Sequence, residues 1–320
     1  MRREAVAERL REKRFVSGEQ LAGELGVTRA AIAKAVAALR AEGYRIEAVR
    51  NRGYRLEATP DILSEQAIRE LLPNHPWKDR IHVLGEVDST NRVLKKLAED
   101  GAPEGTVVLA DSQTAGRGRL GRSFYSAPQV GVYLSVLLRP KQQAQELITL
   151  TAQTAVAVSE SIETVCGTAP GIKWVNDLLL GGRKICGILT ELSIEAESAS
   201  VKYAIIGIGV NCNQRTDDFP DSLQQLAGSV FSQTGIRIRR NELVALLLQR
   251  LSALPYTDWH SLYRTRCVTI GQEVTFFSGG AVCCGRALDV GSNAELLIAL
   301  PDGTVRAVNS GEVSIRPTGN

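Results

Sequence analysis

The chain has 320 residues, of which 44% are hydrophobic and 23% charged, and a formal net charge of +3. These values are ordinary for globular protein and, at roughly 100 to 200 residues per domain, allow two or three domains with at least one large core. No apolar run reaches the roughly eighteen residues of a membrane span. Six cysteines without a C-x-x-C pair, beside three histidines, argue against a zinc site or a disulfide framework. The chain opens Met1-Arg2-Arg3-Glu4 without a cleavable leader pattern, so a reducing cytoplasm is the expected compartment.

The charge is unevenly spread: residues 1–58 carry 13 Lys/Arg against 8 Glu, leaving the remainder at −2. Residues 3–13 place Val6 and Leu10 four apart, as on an amphipathic helix. Ser17, three before Gln20, is a capping-box signature for a short helix that Gly26 ends. Thr28 caps a further helix over 29–42, with Ile32, Val36 and Leu39 on one face and Gly43 terminating it. This is a helix-turn-helix layout, and the outer face of its second helix offers Thr28, Arg29, Ala33, Lys34 and Arg40 to a major groove. Short strands over 44–49 and 54–57 flank Arg50-Asn51-Arg52-Gly53 as a basic wing, whose Arg45, Arg50, Arg52 and Arg55 suit phosphate contacts. A winged helix used only for protein contacts is the alternative. Ala58-Thr59-Pro60-Asp61 has linker composition, which sets the first boundary at residue 58.

A helix over 64–72 and a strand over 81–84 precede Asp88-Ser89-Thr90-Asn91, ahead of a helix over 91–99. That polar group is either an N-cap or a set of hydroxyls and N–H groups for a small polar ligand. A strand over 106–110 leads through Gln113 into Gly116-Arg117-Gly118-Arg119-Leu120-Gly121-Arg122. Formally this matches G-x-G-x-x-G, but a strand over 132–138 follows where a dinucleotide fold needs a helix. No Gly-Lys-Ser/Thr or His-Arg-Asp triplet supports a P-loop or a kinase. The run reads as an anion-cradling loop or a solvated basic hairpin.

After a helix over 148–165, Gly171-Ile172-Lys173-Trp174-Val175-Asn176-Asp177-Leu178-Leu179-Leu180 sets charged and amide groups within a strand-like apolar segment. Gly181-Gly182 is a hairpin signal, and 183–191 returns as the partner strand, with Lys184 near Asp177 or a ligand. Gly187 marks a bulge or a close ligand approach. A strand over 204–211 carries Gly207, Gly209 and Asn211, and a helix over 241–254 follows. From Val268, short strands separated by Gly279-Gly280, Gly291-Ser292-Asn293, Asp302-Gly303 and Ser310-Gly311 suggest a small all-β domain. The whole is expected to be an α/β (α+β) multidomain chain: winged helix-turn-helix (1–58), linker and connecting helix (59–80), central mixed-sheet catalytic domain (81–266) and small β-barrel (267–320).

Asp88-Ser89-Thr90-Asn91, Gln113 before Gly116 to Arg122, Lys173-Trp174-Val175-Asn176-Asp177, Arg183 to Leu189 and Gly207-Ile208-Gly209-Val210-Asn211 together resemble biotin protein ligases, from about residue 81 to the C-terminus. With the winged helix in front, the chain is similar to the bifunctional type that also represses biotin genes. The resemblance implies that biotin and ATP give biotinyl-5′-AMP with Mg²⁺, and that a lysine of a biotin carboxyl carrier protein, from acetyl-CoA carboxylase or another biotin-dependent carboxylase, then takes the biotinyl group. It implies that Ser89, Thr90, Asn91 and Gln113 hold the polar end of biotin, while Gly116, Arg117, Gly118 and Arg119 wrap carboxylate and phosphate. Lys184 is expected at the carboxylate, and Asp177 at a metal or orienting the incoming amine. Gly187 and Gly207 leave room for ligand, and Arg119, Arg122, Phe124, Lys173, Asn176 and Asn211 face the adenylate. Two positions depart from the common pattern, Phe124 standing where tryptophan is usual and Val175 where proline is.

The resemblance further implies that biotinyl-5′-AMP, as corepressor, orders the loop and favours a homodimer on palindromic operator DNA through Thr28, Arg29, Ala33, Lys34, Arg50 and Arg52. A sensor without ligase activity, an adenylating enzyme for another acid such as lipoate, and a ligase whose winged helix is silent are the alternatives.

Overall fold

The computed structural model describes residues 3–11, 14–41, 43–140, 147–195, 200–255, 258–278, 281–309, 311 and 313–315. The expected turn at Gly279-Gly280, Ser310, and the helix ends at 12–13 and 42 lie outside the described residues. Two compact units divide the chain, Met1–Ile62 and Leu63–Asn320.

In the first unit α1 (Arg3–Arg9), α2 (Gly18–Leu25) and α3 (Arg29–Ala41) precede the antiparallel pair β1 (Arg45–Val49) and β2 (Gly53–Ala58). The caps explain the helix limits. Ser17 Oγ accepts from Gln20 N at 3.0 Å, and Gly26 ends α2 in the left-handed region. The expected box is only half made, because the Gln20 side chain turns to Glu24. Helical spacing brings Ile32, Val36 and Leu39 of α3 against Val6, Leu10, Leu21, Ile46 and Leu56 as one core.

The second unit starts with α4 (Glu65–Leu71), β3 (Ile81–Val87), α5 (Thr90–Glu99), β4 (Val107–Gln113), β5 (Gly131–Leu138) and α6 (Leu150–Cys166). There follow β6 (Gly171–Lys173), β7 (Asp177–Leu180), β8 (Arg183–Ile194), β9 (Val201–Asn211), α7 (Val230–Thr234), α8 (Arg240–Leu251) and α9 (Trp259–Arg266). The strands form a seven-stranded sheet in the order β3-β4-β5-β9-β8-β7-β6, in which only the β3–β4 pair is parallel. Strand alternation sorts its faces. Leu134, Val136, Ala204, Ile206, Ile208 and Val210 join Val156 and Ile162 of α6 and Leu247 of α8 in the main core. Leu137, Tyr203 and Ile205 point the other way, onto Leu94 and Ala98 of α5. The short α5 covers only part of this second face. Beyond it the same strands present Ser135, Gly187, Leu189, Glu191, Gly207 and Gly209, and the site forms there.

The C-terminal strands β10 (Glu273–Ser278), β11 (Ala281–Val290), β12 (Leu296–Ala299), β13 (Val305–Val308) and β14 (Val313–Ile315) pair antiparallel in the order β13-β12-β11-β10-β14. The expected barrel is not what this pairing makes. Among the described residues no ladder joins β13 to β14, so the sheet stays open. Val274, Phe276, Ala287, Leu296 and Ile298 pack into the same continuous core as the seven-stranded sheet. All six cysteines are free thiols. No helix among the described residues is long and apolar enough to cross a membrane.

Candidate functional site

The glycine–arginine run folds as a tight returning loop. Phe124 N donates to Gly116 O at 2.9 Å and Gly118 N to Arg122 O at 2.7 Å. Gly116 is required because a Cβ would overlap the Phe124 carbonyl oxygen. Leu120, the loop's one apolar side chain, has φ 55° and is 72% exposed, so it anchors nothing. The arginines do the anchoring. Arg119 Nη1 donates to Asn176 Oδ1 at 2.9 Å and Nη2 to Gly311 O at 3.2 Å, while Arg117 Nη2 lies 3.2 Å from Glu191 Oε1.

Opposite the loop stands the β7–β8 hairpin. The segment 171–180, expected as one strand, folds as two, β6 and β7, with Lys173 paired directly across from Asp177. The Trp174–Val175 peptide in the connecting turn is cis. Trp174 N donates to Thr269 Oγ1 at 2.9 Å and Trp174 Nε1 to Ala294 O at 2.7 Å, which fixes the turn against the C-terminal strands. Between β7 and β8 the register slips once: Asp177 faces Gly187 and Leu178 faces Cys186, but Leu179 faces Lys184. The extra residue is Ile185, not the glycine at 187. A one-residue bulge reverses side-chain parity, so Lys184 shares the face of Asp177 instead of the opposite one. Its Nζ lies 2.7 Å from Asp177 Oδ1. Lys184 N donates to Leu226 O, and Gly228 N to Lys184 O, both at 2.9 Å.

Loop and hairpin together line a cleft of about 120 Å³ with Arg117, Arg119, Arg122, Lys173, Lys184 and Asp177 among its walls. A narrower recess adjoins it, lined by Ser89, Thr90, Asn91, Gln113, Gly207 and Gly209. Ser89, Thr90 and Asn91 are buried at the start of α5, but no side chain caps that helix. Gln113 Oε1 takes that place, accepting Thr90 N at 2.9 Å, and Gln113 Nε2 donates to Ser126 Oγ at 2.8 Å. Asn91 Nδ2 donates to Glu191 Oε2 at 2.7 Å, and Ser135 Oγ donates to Asn91 Oδ1 at 2.6 Å. At the rim, the Arg92 side chain hydrogen-bonded to Asp88 holds that carboxyl below its usual range. Burial pushes the Cys186 thiol up, which keeps it neutral beneath the hairpin.

Three expectations change here. The room made by the glycines is taken by the chain's own groups: a Cβ on Gly207 would overlap Asn91 Oδ1, and one on Gly209 would come within 2.6 Å of Phe124 Cε1. Phe124 thus packs on Gly209 and edge-on to Tyr133, with ring centroids 6.4 Å apart, while still lining both cavities. Asn211 lines neither cavity. Its amide donates to Gly228 O at 2.9 Å, and Gly228 in turn holds the Lys184 backbone, so Asn211 acts two bonds away from the cleft. A resident metal does not fit. Asp177 is the only acid in the cleft lining and is ion-paired with Lys184, and no group of three or more His, Cys, Asp or Glu among the described residues could hold a metal. Sequence reasoning missed Ser135, Glu191 and Gly311. The signal for Ser135 was a lone hydroxyl in an apolar strand; Gly311 had none, being brought in from 192 residues away.

In the first unit Thr28 Oγ1 accepts from Ala31 N at 3.2 Å, which makes it the cap of α3. Arg29, Ala33, Lys34 and Arg50 are exposed. Arg52 is exposed too, with its guanidinium 4.3 Å from the centre of the Phe15 ring. Arg40 and Arg55 are spent internally, Arg40 on Ile46 O at 2.6 Å and Arg55 on Glu47 at 2.6 Å and Glu57 at 3.4 Å. Arg45 lies 3.8 Å from Glu57.

Residues 84–211 match the Biotin/lipoate A/B protein ligase family, and residues 2–55 match an HTH domain. The bifunctional ligase/repressor BirA of Bacillus subtilis (strain 168) is 36% identical over 308 residues, covering 94% of each chain. The Escherichia coli (strain K12) protein of the same description is 30% identical over 314 residues, 94% of this chain and 93% of that one. Among solved structures, a biotin protein ligase from Aquifex aeolicus in complex with biotin and ATP is similar, with a TM-score of 0.63 and 29% identity over 75% of this chain and 99% of that chain. The chain belongs to the family of bifunctional biotin ligase/repressors.

Proposed function

We propose that the cleft activates biotin with ATP and passes the biotinyl group to a lysine of a biotin carboxyl carrier protein. The observation that carries this is the bulge at Ile185, which sets Lys184 beside Asp177 across from Arg117 and Arg119. A carboxylate and a triphosphate repel, and a cation-lined wall removes that barrier. Ser89, Thr90, Asn91 and Gln113 take the polar end of biotin in the recess. Its carboxylate leaves the recess at Gly116, Arg117, Gly118 and Lys184, facing an α-phosphate on Arg119, Arg122 and Lys173.

A carboxylate oxygen attacks the α-phosphorus, the bond to the bridging oxygen breaks, and pyrophosphate departs with that electron pair. In the second step the acceptor amine attacks the acyl carbon, the acyl–oxygen bond breaks, and AMP leaves. Lys184 neutralises charge in both steps, while Asp177 orients the amine. Asn176 works through Arg119. Mg²⁺ enters as the counter-ion of ATP phosphates rather than as a resident of the protein.

Residues 1–58 place the protein on operator DNA through Arg29, Lys34, Arg50 and Arg52, with 59–80 as connector, 81–266 as catalytic region and 267–320 completing the cleft wall. Biotinyl-5′-AMP acts as corepressor by stabilising a homodimer, in a reducing cytoplasm that suits six free thiols. Transfer of labelled biotin, with ATP and Mg²⁺, to a biotin-carboxyl-carrier domain tests the ligase. It is expected to vanish in Lys184→Ala. Absence of transfer by folded wild type that still binds biotin overturns it in favour of a sensor.

A further inference from the structure

We propose that Glu191 is a positioning residue that sets the direction of hydrogen bonding in the recess and ties the recess to the glycine–arginine loop; this rests on the biotin reading above. Glu191 lies on the face of β8 that carries Gly187 and Leu189, and its two oxygens serve two clients. Oε2 accepts Asn91 Nδ2 at 2.7 Å, and Oε1 is 3.2 Å from Arg117 Nη2.

An ionised carboxylate has no proton to give, so the Asn91 amide must turn its NH₂ toward Glu191 and its oxygen toward Ser135. Ser135 Oγ, 2.6 Å from that oxygen, is then obliged to donate, because two lone pairs at that distance repel. A serine has one proton. That proton lies between Asn91 Oδ1 at 2.6 Å and Thr90 Oγ1 at 2.8 Å, and the Thr90 hydroxyl donates in turn to Gln113 Oε1 at 3.2 Å, beside the Thr90 backbone N–H at 2.9 Å. Asn91 and Thr90, both proposed to meet the polar end of biotin, thus take their direction through Ser135 from one acceptor-only group outside the recess, while the Thr90 backbone N–H holds Gln113.

The second oxygen extends this control to the loop. Arg117 adjoins Gly118 and Arg119, so whatever shifts Glu191 on the recess side also loosens the segment expected to wrap the carboxylate. Glutamine at this position has one acceptor oxygen in place of two and an added NH₂ group. That group meets either the Asn91 NH₂ or the Arg117 guanidinium, donor against donor, while shape and volume are unchanged.

The test compares the full-length wild type with Glu191→Gln and Glu191→Asp. Three quantities are measured: initial rates of biotinyl-adenylate formation against biotin, thermal stability, and trypsin cleavage after Arg117, Arg119 and Arg122 located by mass spectrometry. In Glu191→Gln the KM for biotin is expected to rise about tenfold or more, the effect of losing a hydrogen bond to a charged group. Its kcat should stay within about threefold, loop cleavage should accelerate, and Glu191→Asp should fall between the two. Unchanged KM and cleavage in both variants overturn the proposal, as does a loss of thermal stability with wild-type KM, which marks a purely structural role. If wild type forms no biotinyl adenylate, the biotin reading itself has failed. If wild type forms it and Glu191→Gln matches it, only the role of Glu191 has.

Discussion

In the winged-helix unit most cationic side chains have one task each: Arg40 and Arg55 bond the protein's own acceptors, while Arg29, Lys34 and Arg50 are exposed. In the catalytic unit the two tasks fall on the same side chains. Arg119 is held by Asn176 and Gly311 and still lines the cleft; Arg117 is held by Glu191 and lines both cavities. A duplex is a regular charged rod that exposed cations can meet one by one. A reacting carboxylate and phosphate need cations already fixed in place, since reorganisation during the reaction adds to the barrier. Substitutions in the cleft should therefore propagate, and those on the wing should add.

The largest effect expected is Gly207→Ala. Its methyl overlaps Asn91 Oδ1 and comes within 2.9 Å of Asn91 Cγ, so the whole recess network must shift. Catalytic efficiency for biotin should fall about 100-fold, as for reacting groups misplaced by about 1 Å, and thermal unfolding should show about 1–3 kcal/mol of overpacking. Near-normal kinetics would show that the recess does not work as a unit.

Next is Asn176→Ala, which removes the acceptor that holds Arg119 Nη1. Adenylate formation should slow about tenfold, in keeping with loss of a charge-assisted hydrogen bond. The effect should appear with ATP as the varied substrate and be small with biotin. Equal effects on both would place Asn176 in general folding and not behind Arg119.

On the wing, Arg50→Ala should weaken operator binding and lower the slope of log K against log salt by about 0.9, the value for one phosphate contact. Combined with Lys34→Ala, the free-energy losses should add within about 0.5 kcal/mol. Arg55→Ala should instead leave the salt slope alone and cost up to about 1 kcal/mol of stability in the first unit. Gel shift across a salt series separates these outcomes, and a changed slope in Arg55→Ala would undo the division drawn above.

The smallest effect is in acid. Residues 1–62 contain no histidine, whereas the second unit has His75. There Nδ1 accepts Trp77 N at 3.1 Å and Nε2 faces Leu248 O at 3.1 Å and Ser252 Oγ at 2.9 Å, so the neutral ring fits its partners. Burial, opposed by the Leu248 carbonyl, holds its pKa below the ordinary value. A folded-state pKa below the unfolded one means that the unfolded chain binds more protons, so this stability is present above pH about 6.5 and is lost as pH falls through the folded value. Unfolding of the second unit should become easier as pH falls below about 6.5, and His75→Gln should flatten that slope.

Much of this molecule follows from short-range patterning. The caps at Ser17 and Thr28, the apolar stripe of α3 and the Gly181-Gly182 hairpin with its two positive φ values were all legible, because each depends on residues a few positions apart. Three matters were not. The bulge at Ile185, which decides the face from which Lys184 emerges, comes from strand register, and a one-residue slip leaves the sequence pattern of β8 unchanged. Whether an arginine is spent or exposed depends on which acids and carbonyls the fold brings beside it: Arg55 is half-buried against Glu47 and Glu57, while Arg50 is exposed. Gly311 reaches Arg119 across 192 residues because the C-terminal strands share the core of the catalytic sheet, a contact made by packing, which no local spacing encodes.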